Sequence, residues 1–96
     1  MKGTSDILRA LGRLKPVLGE KYGVRAIALF GSCARGDQNE QSDVDVLVDV
    51  DTSIGLGFVD LAEAIEDAIG APTEVVSIRG IKPRYFKSIE KDLIYV

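Results

Sequence analysis

Apolar residues recur at intervals of three and four near the start of the chain, at Ile7, Leu8, Leu11, Leu14 and Leu18. This spacing is typical of an amphipathic helix, which we predict over residues 4–21. Thr4 or Ser5 is the expected N-cap, because the oxygen of a short hydroxyl side chain can accept a hydrogen bond from a free N–H in the first turn of a helix. Pro16 is expected to kink or break this helix, and Gly23 to end it.

Two strand-like patterns follow. Residues 25–30 form a short β-prone apolar run closed by Gly31, which predicts a strand buried on both faces. Residues 43–50 show the clearest alternation in the sequence and are predicted to form the second strand. Alternate side chains of a strand point to opposite faces of the sheet. Asp43 and Asp45 therefore share one face. The opposite face carries Val44, Val46, Val48 and Val50.

The remaining segments complete an alternating order of helices and strands. We predict a short helix at 32–35, a polar loop at 36–42, a glycine-containing loop at 51–57, a helix at 58–69 ended by Gly70, a strand at 73–78 and a last helix from Pro83 to the C-terminus. The fold class is α/β in the order α-β-α-β-α-β-α, with a small sheet flanked by helices. We predict a mixed sheet, because the short 31–42 connection can join parallel or antiparallel strands.

Length and composition narrow the class of protein. The 96 residues are expected to form one domain, 1–96, with a single core. No apolar run approaches the roughly 18 residues of a membrane span, and the N-terminus lacks the apolar segment of a signal peptide. Cys33 is the single cysteine, so no internal disulfide can form, which fits a reducing cytoplasm. We therefore expect a cytoplasmic protein without a membrane partner.

Charge and the absence of histidine restrict the chemistry further. Without histidine, the chain has no Ser-His or Cys-His nucleophile pair and none of the usual zinc sites. The net charge of −3 is concentrated in the middle, where residues 31–74 carry one basic and eleven acidic side chains. An acidic centre attracts metal ions and repels a phosphate backbone, so nucleic acid is disfavoured as the principal ligand.

One constellation points to chemistry: Gly31-Ser32, then ten residues, then Asp43-x-Asp45. Gly31 allows close approach of the backbone to a ligand, and Ser32 at a helix start offers its N–H and hydroxyl to phosphate oxygens. Asp43 and Asp45 supply the hard oxygen ligands that Mg²⁺ accepts beside substrate phosphates. Arg35, one turn into the short helix, is a candidate phosphate contact.

Simpler interpretations exist for the same residues. Gly31-Ser32 also fits a turn that ends a strand, and the two aspartates fit a solvated edge strand. Arg35 also fits a salt bridge with an acidic neighbour. Asp49 and Asp51 lie outside the motif and are expected to be ordinary solvated residues. The basic residues near the C-terminus are expected to form a solvated face.

Over essentially its whole length the chain resembles the minimal nucleotidyltransferase (MNT) family of the DNA polymerase beta-type nucleotidyltransferase superfamily. The resemblance is carried by GSCARG at 31–36, SDVDVLVD at 42–49, PTEVVS at 72–77 and the tail KPRYFKSIEKDLIYV. It implies a polymerase beta-like fold, a first motif that binds a nucleoside triphosphate and paired aspartates that bind metal, with two Mg²⁺ ions expected. It also implies a third carboxylate as metal ligand or base, at Glu74, where the family more often has aspartate.

The resemblance further implies that the chain is an antitoxin paired with a HEPN-domain ribonuclease toxin. The antitoxin is then expected to transfer AMP from ATP to a tyrosine hydroxyl of the toxin. We expect the acceptor to come from a partner protein or a second subunit of a homo-oligomer, because larger relatives use a further domain for it. Two alternatives stay open: a catalytically silent module that neutralises a partner by covering it, and a nucleotidyltransferase acting on a small molecule.

Overall fold

The computed structural model describes residues 3–96, which form a four-stranded sheet with helices on both faces. The helices are α1 (Thr4–Tyr22), α2 (Ser32–Arg35), α3 (Gly57–Ile69) and α4 (Pro83–Ile89). The strands are β1 (Ala26–Phe30), β2 (Val44–Asp49), β3 (Thr73–Ser77) and β4 (Ile94–Tyr95). Short 3₁₀ turns cover Thr52–Ile54 and Glu90–Asp92.

The sheet is mixed, as predicted, with the strand order β3-β2-β1-β4. Strand β1 is antiparallel to both of its neighbours, β2 and β4, whereas β2 and β3 are parallel. The short α2 connection reverses the chain between β1 and β2, while α3 provides the longer crossover that a parallel pair needs. This order places β2, with its aspartates, between β1 and β3.

The main core lies between one face of the sheet and the pair of helices α1 and α3. Strand β2 contributes Val44, Val46 and Val48 to this core, all buried. The helices contribute their fully buried apolar positions: Ile7, Leu11, Leu18, Leu61, Ile65 and Ile69. The valine face predicted from the alternation of β2 is therefore the face that stabilises the fold.

A smaller cluster covers the other face. Ala28 and Phe30 of β1 and Leu47 of β2 are buried there. The residues packed against them come mainly from β3 and the C-terminal segment: Val76, Ile78, Ile81, Phe86, Ile89 and Leu93. Asp45 precedes Leu47 by two positions, so it lies on this same face of β2, which we call the α4 face.

The predicted C-terminal helix is wrong in its second half. Helix α4 begins at Pro83 as predicted but ends at Ile89, and Ile94–Tyr95 forms strand β4 instead. The spacing of the apolar residues fits a helix, yet strand β1 is buried on both faces and needs a pairing partner at its open edge. Strand β4 satisfies the backbone groups of that edge.

The N-terminal helix also differs from its prediction. Gly3 is its N-cap, not Thr4 or Ser5, and Pro16 lies inside α1 without ending it. The Thr4 hydroxyl donates to the carbonyl of Cys33 at 2.6 Å, a tertiary contact that takes the place of capping. Gly23 ends the helix in the left-handed conformation, as expected. Other predicted boundaries agree to within one or two residues.

No helix within residues 3–96 combines the length and the apolar character needed to cross a membrane.

The strand assignment of the C-terminal segment predicts slow hydrogen exchange at Val96. Its N–H donates to the Ile27 carbonyl at 3.0 Å, and its own carbonyl accepts from Lys15 Nζ at 2.7 Å. We expect its amide to exchange at least about tenfold more slowly than in an unstructured peptide, as measured by NMR hydrogen exchange. Exchange at the unstructured rate would contradict the pairing of this segment with β1.

Candidate functional site

Gly31 ends β1 at the point where the backbone passes directly beside Asp45. Its φ of 74° and ψ of −157° are rare for residues with a side chain. A Cβ atom built at this position would collide with Oδ2 of Asp45 and would lie 3.2 Å from its Cγ. Glycine at position 31 therefore satisfies both the backbone conformation and the space that the Asp45 carboxylate occupies.

Helix α2 begins immediately afterwards at Ser32 and is tied to the core through Cys33. The Cys33 side chain is 2% exposed, and its thiol donates to the Asp43 carbonyl at 3.8 Å. The Cys33 carbonyl accepts from the Thr4 hydroxyl. Cys33 is thus buried, and it also joins the start of α2 to the residue before β2. The first N–H groups of α2 have no partner within the helix and point to its N-terminal side.

The three predicted carboxylates come together at one end of the sheet. Asp45 pairs with Phe30 across the antiparallel ladder and with Glu74 across the parallel ladder. Neighbouring strands lie about 5 Å apart, so the Asp45 and Glu74 side chains stand side by side on the α4 face. Asp43 lies immediately before β2 and is exposed, as is Glu74, while Asp45 is half-buried.

The electrostatics of this cluster reflect its crowding. Burial raises the pKa of Asp45 above the ordinary carboxyl value, and the negative charges of Glu74 and Asp43 raise it further. The positive charge of Arg35 opposes these effects. Asp45 is therefore a partly desolvated carboxylate flanked by two like charges, an arrangement that a bound cation would relieve.

The donor set fits Mg²⁺ in its chemistry, since all three groups are hard carboxylate oxygens. Within residues 3–96, however, no three acidic or thiol side chains converge closely enough to hold a metal ion as they stand. Asp43 and Glu74 are exposed, and the described residues offer neither of them a salt-bridge partner, so both side chains can turn toward Asp45. Assignment of the three residues as metal ligands stays a prediction.

Arg35 lies on the same side of the molecule and forms two salt bridges. Its Nε donates to Asp37 at 3.1 Å and its Nη1 to Asp92 at 3.2 Å. Arg35 therefore forms the salt bridge with an acidic neighbour that the sequence allowed as an alternative. Because the side chain is still about half exposed and its charge acts on Asp45, a contact with phosphate stays a prediction.

Asp49 and Asp51 lie away from the cluster, and both have partners. Asp49 forms a salt bridge with Arg79 at 3.0 Å, and Asp51 accepts from the Ser53 N–H at 2.8 Å at the start of a 3₁₀ turn. A groove of about 390 Å³ opens at the same end of the sheet, between Phe58, Val75 and Ile81 among others. This groove is mainly apolar and contains none of the predicted site residues.

Tyr85 is a residue of this site that sequence reasoning missed. It lies on α4, and its ring meets that of Phe30 edge to face, with centroids 6.5 Å apart and an interplanar angle of 86°. Burial raises its pKa, and the charges of Glu74 and Asp45 add to the increase. No spacing in the sequence points to Tyr85, because only the fold brings α4 over the end of β1.

Several known proteins are similar to this chain in sequence. Residues 11–96 match the family described as the nucleotidyltransferase domain. A chain of Methanocaldococcus jannaschii provisionally named a protein adenylyltransferase is 42% identical, and the match covers the whole of both chains. The protein adenylyltransferase MntA of Thermococcus cleftensis is 37% identical over 85% of this chain and 84% of its own.

Solved structures show the same fold. A provisionally named minimal nucleotidyltransferase superposes with a TM-score of 0.77 at 31% identity, covering 97% of this chain and 95% of its own. A toxin–antitoxin structure with AMP-PNP superposes with a TM-score of 0.70 at 21% identity, covering 98% of this chain and 72% of that one. The expected nucleotidyltransferase fold is thereby confirmed.

The close approach of Gly31 to Asp45 predicts an unequal cost of two glycine substitutions. Gly31→Ala is expected to lower the free energy of unfolding by about 2–3 kcal/mol, through backbone strain and the collision with Asp45. Gly36→Ala is the matched control, since Gly36 also has a positive φ but nothing lies within 4 Å of its added Cβ; we expect about 1 kcal/mol. Urea denaturation measures the free energy of unfolding of both variants. Equal decreases would show that the collision with Asp45 does not affect stability.

The raised pKa of Asp45 predicts a pH-dependent gain from Asp45→Asn. The folded state binds this proton more tightly than the unfolded state does, so the ionised carboxylate destabilises the fold at neutral pH. In buffer without divalent cations, the variant should melt at a higher temperature than the wild type at about pH 7, and the gap should close toward about pH 4.

Asp51→Asn is the control, and its effect on stability at neutral pH should have the opposite sign, because hydrogen bonding to Ser53 lowers the pKa of Asp51. This variant should be less stable than the wild type at neutral pH, with the difference fading as the pH falls through the carboxyl range. Parallel behaviour of the two variants would contradict the assigned cause of the Asp45 shift.

Proposed function

Because this chain belongs to the nucleotidyltransferase domain family, we propose that it transfers AMP from ATP to a hydroxyl group of a partner protein, with Mg²⁺ as cofactor. The single observation that best supports this proposal is the pairing of Asp45 with Glu74 beside the Gly31-Ser32 turn. That arrangement sets a carboxylate pair next to a helix start, which suits a metal-bound triphosphate.

The triphosphate site is proposed at Gly31 and Ser32. The backbone turns sharply at Gly31, so the N–H groups at the start of α2 and the Ser32 hydroxyl are available to phosphate oxygens. The salt bridges of Arg35 leave its side chain about half exposed at the end of the same short helix. We propose that Arg35 adds positive charge to this site when the nucleotide binds.

The carboxylates are proposed to hold the metal and to handle the proton of the acceptor. Mg²⁺, when bound, neutralises phosphate charge in the transfer of a nucleotidyl group. Asp43 and Asp45 are its proposed ligands, and Glu74 is either a third ligand or the base that takes the proton of the attacking hydroxyl. The role of the protein is to position these groups, since they form no covalent intermediate with the substrate.

A protein acceptor is supported by the relatives, several of which are named as protein adenylyltransferases at 37–45% identity. The Thermococcus relative is named MntA. A solved toxin–antitoxin structure that shares the fold also carries the name MntA. We therefore propose that the partner is a cognate toxin. A HEPN-domain toxin with a tyrosine acceptor is the form implied by the resemblance to minimal nucleotidyltransferases.

Substitution of either aspartate tests the proposed chemistry. Asp43→Asn and Asp45→Asn should each lower transfer by at least about a hundredfold, because each removes a metal ligand while preserving side-chain volume. Asp49→Asn is the matched control, since Asp49 lies on the same face of β2 but pairs with Arg79 at the other end. Transfer is measured with Mg²⁺, ATP labelled at the α-phosphate and the protein that co-purifies with this chain.

Near-normal labelling by either aspartate variant at saturating ATP and Mg²⁺ would show that the carboxylate mechanism is wrong. A tight unlabelled complex that still inhibits the partner when both aspartates are replaced would instead support neutralisation by occlusion. Retention of activity by Asp49→Asn is needed to assign any loss to the site rather than to the general charge of β2.

A further inference from the structure

Tyr85 contacts the carboxylate end of the sheet through an aromatic ring pair. Its ring packs edge to face on the ring of Phe30. Across the sheet, Phe30 of β1 is opposite Asp45 of β2, and Asp45 is opposite Glu74 of β3. Three neighbouring positions across the sheet thus carry one aromatic ring and two carboxylates on the same face. The tyrosine stands over this row from α4.

The helix that carries Tyr85 is itself well anchored. Pro83 occupies its first turn, and Phe86 and Ile89 pack against the buried cluster of Ala28, Phe30 and Leu47. The Ser88 hydroxyl donates to the Tyr85 carbonyl at 2.6 Å. Tyr85 therefore approaches the site from an ordered element.

The hydroxyl of Tyr85 is accessible and chemically suited to accept a nucleotidyl group. The residue is 42% exposed, and within residues 3–96 its hydroxyl makes no hydrogen bond. The carboxylates whose charges reach it are Glu74 and Asp45, two of the three groups assigned to the site. A phenol at this place has the same chemistry as the tyrosine proposed as the acceptor on a partner.

The other two tyrosines are placed differently. Tyr95 is 55% exposed but lies on β4, beyond β1 at the edge of the sheet farthest from β3 and Glu74. Tyr22 lies in the last turn of α1 beside the ammonium group of Lys21. Exposure is therefore not what distinguishes Tyr85, whereas its position beside the carboxylates is.

We propose that Tyr85 is a site of self-adenylylation within the same chain, an inference that rests on the proposed function. The Tyr85 Oη attacks the α-phosphorus of ATP, so the Oη–P bond forms as the bond from the α-phosphorus to the bridging oxygen of the β-phosphate breaks. Pyrophosphate leaves, and the phenol proton passes to the Glu74 carboxylate and then to solvent. The product is a phosphodiester between Tyr85 and AMP.

The test incubates the purified chain with Mg²⁺ and ATP labelled at the α-phosphate, without any partner. We expect the mass to increase by one AMP, with the modified peptide containing Tyr85, and a labelling rate per molecule that does not change with protein concentration. Tyr85→Phe, which keeps the ring contact with Phe30, should lose the label at least about tenfold. Tyr95→Phe, the matched control, should keep it.

Two readouts separate failure of this inference from failure of the proposed function. A rise in melting temperature of Tyr85→Phe with Mg²⁺ and ATP checks that its nucleotide site is intact. Labelling of the co-purifying partner without labelling of the chain would overturn self-adenylylation and leave the proposed function standing. Labelling that persists in Tyr85→Phe, or whose rate per molecule rises with protein concentration, would also overturn it, and no labelling of either protein would count against both.

Discussion

The arrangement of this site depends on one close packing contact, between the backbone at Gly31 and the carboxylate of Asp45. Gly31 immediately follows β1, and Asp45 lies on the neighbouring antiparallel strand β2. The acidic group occupies the space that a side chain at position 31 would fill. The same contact sets where α2 begins, because the unusual backbone angles at Gly31 turn the chain out of the sheet. The start of α2 and the Asp45 carboxylate therefore lie next to each other.

The two faces of β2 have opposite effects on stability. The valines of one face pack under α1 and α3 in the main core, where burial of apolar surface stabilises the protein. The aspartate of the other face is partly desolvated and stands beside two like charges, which raises its pKa and costs stability. A carboxylate that weakens the fold is tolerated here because the opposite face of the same strand supplies apolar packing.

Local pattern was enough to predict much of this arrangement and failed where distant segments meet. The alternation of β2 placed its paired aspartates on one face and its valines on the other before any contact was known. The C-terminal strand β4 could not be predicted, because Ile89 and Leu93 keep helical spacing and only the open edge of β1 makes a strand favourable there. Tyr85 was missed for a similar reason, since its neighbour Phe30 is far away in sequence.

The salt bridges of Arg35 couple the site to the end of the chain. Asp92, which is 57 positions away, shares this guanidinium with Asp37, and together they pair with the one basic side chain of residues 31–74. An anion that takes Arg35 must compete with two carboxylates of the protein itself, so part of its binding free energy is spent on their release. Loosening of the turn that carries Asp92 would strengthen binding of that anion by no more than the free energy of the Asp92 salt bridge. Any use of Arg35 by the proposed triphosphate would therefore take place in competition with Asp37 and Asp92.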